Sequence, residues 1–253
     1  MSKLIFFDTE TTGNEQKDFL VQIAYKNDSE TFVSLYKPEM KIPPEASAVH
    51  HITNKMVANK LLFKENSDYK KIKQLFEDKN SVVIAHNAPF DLMIIKKEDI
   101  IPKNFICTLR VARYLDPENK IEQYKLQYLR YLLEIEIDAT AHDALGDVLV
   151  LEKLFERLKN KIEQDSQKSQ KTVFGEDKRP SFGSENEVIQ KMIEISSHPS
   201  LIKTLNFGKY KGKKVEEVLQ IDRGWLEWLL REKEKSDQID EDWIYTLKYY
   251  LQK

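Results

Sequence analysis

The sequence predicts an α/β domain, a mixed sheet flanked by helices, followed by a small, mainly helical α+β module. Three features carry that expectation. Short apolar or alternating runs open the chain and later alternate with helix-period patterns, the order that builds a mixed sheet. A polar stretch, EQDSQKSQKTVFGEDKRPSFGSEN at 163–186, then interrupts the apolar patterning. Beyond it, residues 187–253 carry helical patterns around a turn rich in glycine and lysine. The expected division is a larger domain at 1–162, a flexible linker at 163–186 and an accessory module at 187–253.

The elements follow in order. Lys3–Asp8 is an apolar run, Leu20–Lys26 is largely apolar and Thr31–Tyr36 alternates, so all three read as strands. Asn27-Asp28-Ser29-Glu30 is turn chemistry and joins the last two as a hairpin. After the Pro-rich 37–44 stretch come helical patterns at 45–50 and 54–58, then 68–78 with Ser67 as N-cap. SVVIAH at 81–86 is a buried-type strand, and Pro89 suits the first turn of the helix at 90–97. A short strand at 105–108, helices at 109–115 and 125–133, and a long helix at 142–162 complete the domain. In the C-terminal piece, helices are expected at 187–196, 215–220, 225–233 and 241–251.

Composition narrows the class. The chain has 253 residues, 41% hydrophobic and 32% charged, enough apolar material for a core. No apolar run approaches the roughly 18 residues that would span a bilayer, and Asp8 interrupts the apolar opening, so a cytoplasmic location is expected. The single cysteine, Cys107, excludes an intramolecular disulfide. Net charge is −2, divided almost evenly: residues 1–160 carry 23 basic and 25 acidic side chains, and 185–253 carry 12 and 13. Any electrostatic function therefore resides in local clusters.

Four acids and one histidine stand out by setting. Asp8 and Glu10, in FFDTETTG, are two apart on a strand and point the same way. Asp91, in AHNAPFD, falls in the first turn of a helix directly after an apolar strand. Asp147, in AHDALGDVLVL, lies near the start of the long helix, five residues after His142. Five residues rotate a regular helix by about 500°, so the two cannot share a face, and His142 belongs at the helix entrance. Taken singly, such residues are commonly solvated turns or helix-end acids. Gathered together, four carboxylates repel one another unless cations neutralise them. Oxygen-only ligands favour Mg²⁺ or Mn²⁺ over zinc.

FFDTETTG, HNAPFD and HDALGD, in that order, resemble the three motifs of the DEDDh (DnaQ-like) 3′→5′ exonuclease family over about residues 3–158. The resemblance implies an RNase H-like fold and two bound divalent cations, Mg²⁺ with Mn²⁺ able to substitute. It implies metal ligation by Asp8, Glu10, Asp91 and Asp147, with His142 as general base. AVHHIT is similar to the family's V-H-G-I-T stretch, with His50 in the histidine slot and His51 where glycine is usual. CTLRVAR is similar to D-T-x-x-x-A-R, with Cys107 in place of the aspartate. Substrate contacts are expected from Thr9, Thr11, His50, Ile52, Asn87 and Phe90.

The stretch LNFGKYKGKKVEEVLQIDRGWLEWLL resembles the small C-terminal module of exonuclease X-like proteins. Its basic turn offers Lys209, Tyr210 and Lys211, with Lys213 and Lys214, for phosphates and base stacking. Trp225, Trp228 and Leu229, at helical spacing, read as core. The expected activity is 3′→5′ hydrolysis of DNA from its 3′ ends, in repair or proofreading. RNA trimming and a non-enzymatic tether in a polymerase or repair assembly are the alternatives.

Overall fold

The computed structural model describes residues 2–137, 144–168, 184–238 and 240–252. A five-stranded sheet runs β1 Lys3–Thr11, β2 Leu20–Lys26, β3 Thr31–Leu35, β4 Ser81–Ala85 and β5 Phe105–Cys107. Its spatial order is β3-β2-β1-β4-β5. β1–β2 and β2–β3 pair antiparallel, β1–β4 and β4–β5 parallel, giving the mixed sheet expected of an RNase H-like fold.

Strand alternation sorts the core into two layers. Phe6, Ala24, Val82, Ile84 and Ile106 face α5 (Thr108–Leu115), α7 (Ala144–Lys168) and α8 (Glu185–Ser196). Ile5, Phe7, Ile23, Tyr25, Val83 and Ala85 face α3 (Asp68–Glu77) and α4 (Ala88–Lys97). Full burial of each large apolar side chain is worth about 1.5–3 kcal/mol. The edge contact of Phe6 on Phe155, 5.3 Å between ring centres, fastens α7 to the central strand. The short helices α1 (Pro44–His50) and α2 (Asn54–Val57) pack Ala46, Ile52 and Val57 against Val21 beside the sheet.

The module consists of α9 (Val215–Ile221), α10 (Arg223–Lys235) and α11 (Glu241–Leu251). They close on a separate small core that includes Leu205, Val218, Leu226, Trp243 and Leu247. Asp222 and Asp240 cap α10 and α11 by accepting from the Trp225 and Trp243 amides.

Several local expectations change. β1 extends to Thr11, so Asp8 and Glu10 lie within the strand rather than at its end. Ser67 is helical and makes no side-chain cap; Asn66 Oδ1 accepts the Asp68 amide at 3.0 Å instead. α7 runs to Lys168, six residues into the stretch read as linker. EQDSQK contains neither Gly nor Pro, and Lys161–Asp165 adds an i,i+4 pair, so nothing stops the helix there. Residues 169–183 of that stretch fall outside the described residues, and its last two, Glu185 and Asn186, already belong to α8. Helix α8, grouped by sequence with the module, packs Val188, Ile189 and Met192 into the sheet's own core, with Ile106, Val111 and Val148.

Candidate active site

The β1–β4 ladder ends at Phe6–Ile84, but β1 continues to Thr11 while β4 stops at Ala85. The two parallel strands therefore part, and the acids gather where they separate. This is the carboxyl-end crevice in which open α/β sheets place their ligands. Asp8 and Glu10 share the Phe6 face of β1, towards α7, and Asp147 meets them from the first turn of α7. One ligand oxygen from each of these three acids lies within 4.8 Å of the others. Asp8 and Glu10 are half-buried and Asp147 is buried. A bulge between Glu10 and Thr11 turns the strand just past the cluster.

Asp91 approaches from the opposite side. It lies in the first turn of α4, whose start is set by Pro89 and by Asn87 in a left-handed conformation, φ 63°. Its Oδ1 accepts from the Thr9 amide at 3.1 Å and the Thr9 hydroxyl at 2.7 Å, beyond the last β1–β4 pair. Burial pushes the Asp91 carboxyl up to about 7, against the Thr9 bonds, which pull it down. The structure thus brings Asp8, Glu10 and Asp147 together and binds Asp91 to the intervening strand residue, Thr9. His142 lies outside the described residues.

The remaining expected contacts take varied places. Thr9 and Thr11 are buried, and Thr11 donates to the Gly13 carbonyl. His50 Nε2 sits 3.2 Å from the Thr11 carbonyl, and its Nδ1 accepts the Ile52 amide at 3.0 Å. Burial lowers the His50 pKa. Ile52 packs in the small apolar cluster with Val21, Ile42 and Val57. Asn87 is exposed, and Phe90 is half-buried against the α3–α4 layer. His51 adopts φ 62°, the left-handed conformation that explains why glycine suits this position. Cys107 is fully buried, its amide donating to Ser196 Oγ at 2.8 Å.

In the module, Lys209 and the Tyr210 hydroxyl both meet Asp222 Oδ2 at 2.7 Å, while Lys211 is exposed. These donors and the Trp225 amide hold the Asp222 carboxyl down to about 2. Trp225 is half-buried, Leu229 is buried, and Trp228 remains 47% exposed.

Two residues, one on an acid of the cluster and one bracing the approach to α6 (Leu126–Leu132), escaped sequence reasoning. Gln127, on α6, donates through Nε2 to Asp147 Oδ1 at 2.5 Å, and Arg130 Nη1 reaches Gln127 Oε1 at 3.4 Å. His86 spans Thr108 Oγ1 at 2.9 Å and the Tyr124 carbonyl at 2.6 Å, fixing the segment that leads into α6. Burial lowers its pKa to about 4. His86 stood in AHNAPFD, the stretch that flagged Asp91, whereas nothing in LQYLRYL distinguishes Gln127.

The exonuclease family model matches residues 5–155, more than half of the chain. This chain belongs to the exonuclease family. It is a 3′→5′ exonuclease. A second model, the exodeoxyribonuclease X-like C-terminal domain, matches residues 205–234 of the enzyme. The exonuclease is 28% identical to exodeoxyribonuclease 10 of Escherichia coli K12 over 219 residues, covering 86% of this chain and 83% of that one. It is 34% identical to the DNA polymerase III epsilon subunit of Treponema pallidum over 163 residues, 59% of this chain and 73% of that one. Its fold is similar to that of exonuclease X, solved in complex with 5′ overhanging duplex DNA. The TM-score is 0.55 at 25% identity, covering 76% of this chain and 99% of that one.

Exonucleases of this family depend on metal ions, and the acids found here fit such an ion. All donors are carboxylate oxygens, hard ligands suited to Mg²⁺ or Mn²⁺, which bind through a few carboxylates and keep positions for water and phosphate. Among the described residues, no helix is long and apolar enough to cross a membrane.

Proposed function

We propose that this exonuclease hydrolyses DNA from its 3′ ends, releasing 5′-mononucleotides, in repair or proofreading in the cytoplasm. The observation that carries the reading is the convergence of Asp8, Glu10 and Asp147 within 4.8 Å at the parting of β1 and β4. The choice of DNA is supported by similarity to exodeoxyribonuclease 10 across 86% of the chain. Asp8, Glu10, Asp91 and Asp147 are the residues to hold two Mg²⁺ ions, with Mn²⁺ as substitute. When bound, such a pair supplies an activated water and neutralises charge on the leaving 3′-oxygen.

The protein's own contribution is positional. Gln127 orients Asp147, and Thr9 orients Asp91. His142 takes the proton from the attacking water, the general-base role that an imidazole commonly fills. Phe90 supports the terminal base beside Asp91. Lys211, Lys213 and Lys214, all exposed, attract the phosphate backbone, with Lys209 and Tyr210 already engaged by Asp222. The partner this reading assigns is a polymerase or repair protein, supported by the similarity to a polymerase subunit.

The test is digestion of matched 5′-labelled DNA and RNA oligonucleotides in Mg²⁺ and in excess chelator. The expected result is a DNA ladder shortening from the 3′ end and no products in chelator. Preferential digestion of RNA, internal cuts in a circular strand, or activity in chelator would each overturn part of this reading.

A further inference from the structure

A buried polar contact joins the C-terminal module to the catalytic domain. Arg110, on α5, has a side chain only 4% exposed. Its Nε donates to Asp242 Oδ1 at 3.1 Å, its Nη2 to Glu241 Oε2 at 2.6 Å and its Nη1 to the Ser196 carbonyl at 2.7 Å. Asp242, on the first turn of α11, also accepts from Arg113 Nη1 and from the Ser200 amide at 3.0 Å. One guanidinium with three acceptors and one carboxylate with three donors fix both position and orientation.

A second contact lies beside the metal-ligand strand. The 14–18 segment leads out of β1, and Asn14 is four residues from Glu10, so it stays within about 14 Å of that acid. Asp18 braces the segment from within, accepting from Thr12 Oγ1 at 2.7 Å and the Glu15 amide at 2.8 Å. Gly13 leaves room for this brace: a Cβ there would meet the Asp18 carboxylate at 2.5 Å. Lys97 of α4 holds one side, donating to the Gln16 carbonyl at 3.0 Å and to the Asp18 carbonyl.

The module holds another part of the same segment. The Gln16 amide donates to the Asp237 carbonyl at 2.9 Å, and Gln238 Nε2 donates to Asn14 Oδ1 at 3.1 Å. The Lys17 pKa is raised chiefly by Glu15 of its own segment, with smaller contributions from Asp237 and Asp18. A third contact, from the Lys203 amide to Asn119 Oδ1 at 2.9 Å, falls in the segment that leads to α6 and Gln127.

We propose that the C-terminal module is part of the rim of the catalytic site: Asp237 and Gln238 are positioning residues that hold the 14–18 segment where the 3′-terminal nucleotides enter, and Arg110–Asp242 is their anchor. The module thereby acts on the site itself as well as on nucleic acid farther along the strand. The proposal rests on the exonuclease reading of the Asp8, Glu10 and Asp147 cluster.

The test uses the full chain and a double-mutant cycle. Gln238→Ala and Asn14→Ala should each raise KM for 3′-ended DNA about three- to ten-fold, the worth of one hydrogen bond, with kcat within about two-fold. The double variant should be no worse than either single one, because both remove the same bond. Additive losses, or unchanged KM in the single variants, would overturn the proposal. A second measurement is amide hydrogen exchange in Asp242→Asn without substrate. Faster exchange at residues 13–18 together with 236–238 is expected; faster exchange confined to the module would overturn the positioning role. Exchange is independent of turnover, so an unmodified enzyme that failed to cut DNA would defeat the functional reading while the coupling was still measured.

Discussion

Asp91 and Asp242 are both almost fully buried, 3% and 6% exposed, yet their surroundings are opposite. Asp91 is held by neutral donors, the amide and hydroxyl of Thr9, and burial pushes its carboxyl up to about 7. Asp242 is held by two arginines and a backbone amide. Neutral donors orient the Asp91 carboxyl without supplying a countercharge. Two guanidiniums satisfy Asp242 inside the protein, and its work is docking. Burial alone does not separate a functional acid from a structural one; the charge of its partners does.

The sharpest way to break this comparison is to remove charge from the catalytic side. Asp8→Ala is expected to abolish metal-dependent hydrolysis while thermal unfolding stays within a few degrees of the unmodified enzyme. Asp91→Asn should likewise remove most activity at little cost in stability, because an amide oxygen still accepts both Thr9 bonds. Loss of the fold in either variant, seen by circular dichroism, would give these acids a structural role.

His142→Ala follows in size, with turnover down about 10²–10⁴-fold and substrate affinity little changed. Raising the pH should restore part of the rate by supplying hydroxide. Equal losses in binding and turnover would make His142 a substrate contact.

On the docking side the expected effect is on stability. Asp242→Ala leaves the Arg110 guanidinium buried beside an empty place, a change that costs about 3–5 kcal/mol by denaturant titration. A loss below about 1 kcal/mol would erase the contrast with Asp91→Asn.

The smallest effect belongs to His86. Its ring stays neutral in the fold down to about pH 4, whereas an unperturbed histidine takes a proton near 6.5. Between those values the unfolded chain binds more protons, so stability falls as the pH drops through that window. The loss is about 2 kcal/mol, allowing for a ring partly open to solvent, and His86→Gln should flatten that part of the stability–pH curve. An unchanged slope would remove His86 as its source.

The parts legible in the sequence are those whose chemistry is compressed into short motifs. Asp8-x-Glu10 needs only strand alternation to share a face, and Asp91 and Asp147 sit beside strong strand and helix patterns. The mixed sheet followed from the same periodicities. Contacts between distant elements were illegible. Arg110 and Asp242 are 132 residues apart, and an arginine within CTLRVAR carries no local sign that its partners lie on α11. Gln127 reads as one polar position in a helix until α7 brings Asp147 beside it. The end of α7 was missed because a polar composition describes a good surface helix as well as a linker. Ser67 keeps the N-cap position, but its αR backbone is not the extended conformation from which a cap side chain reaches the N2 and N3 amides, and Asn66 takes the Asp68 amide instead.

The contact between Asn14 and Gln238 also sets an order of events during biosynthesis. The two residues are 224 positions apart in the chain. At about 5–20 residues per second, a ribosome takes roughly 10–45 s to add that length. Once β4 and α7 have been made, β1 and its neighbours can pair, yet the segment beyond Thr12 still lacks its last fastening. A nascent exonuclease therefore passes through a stage with its acids assembled and its rim unlatched, and full competence comes only after α10 and the start of α11 have been made.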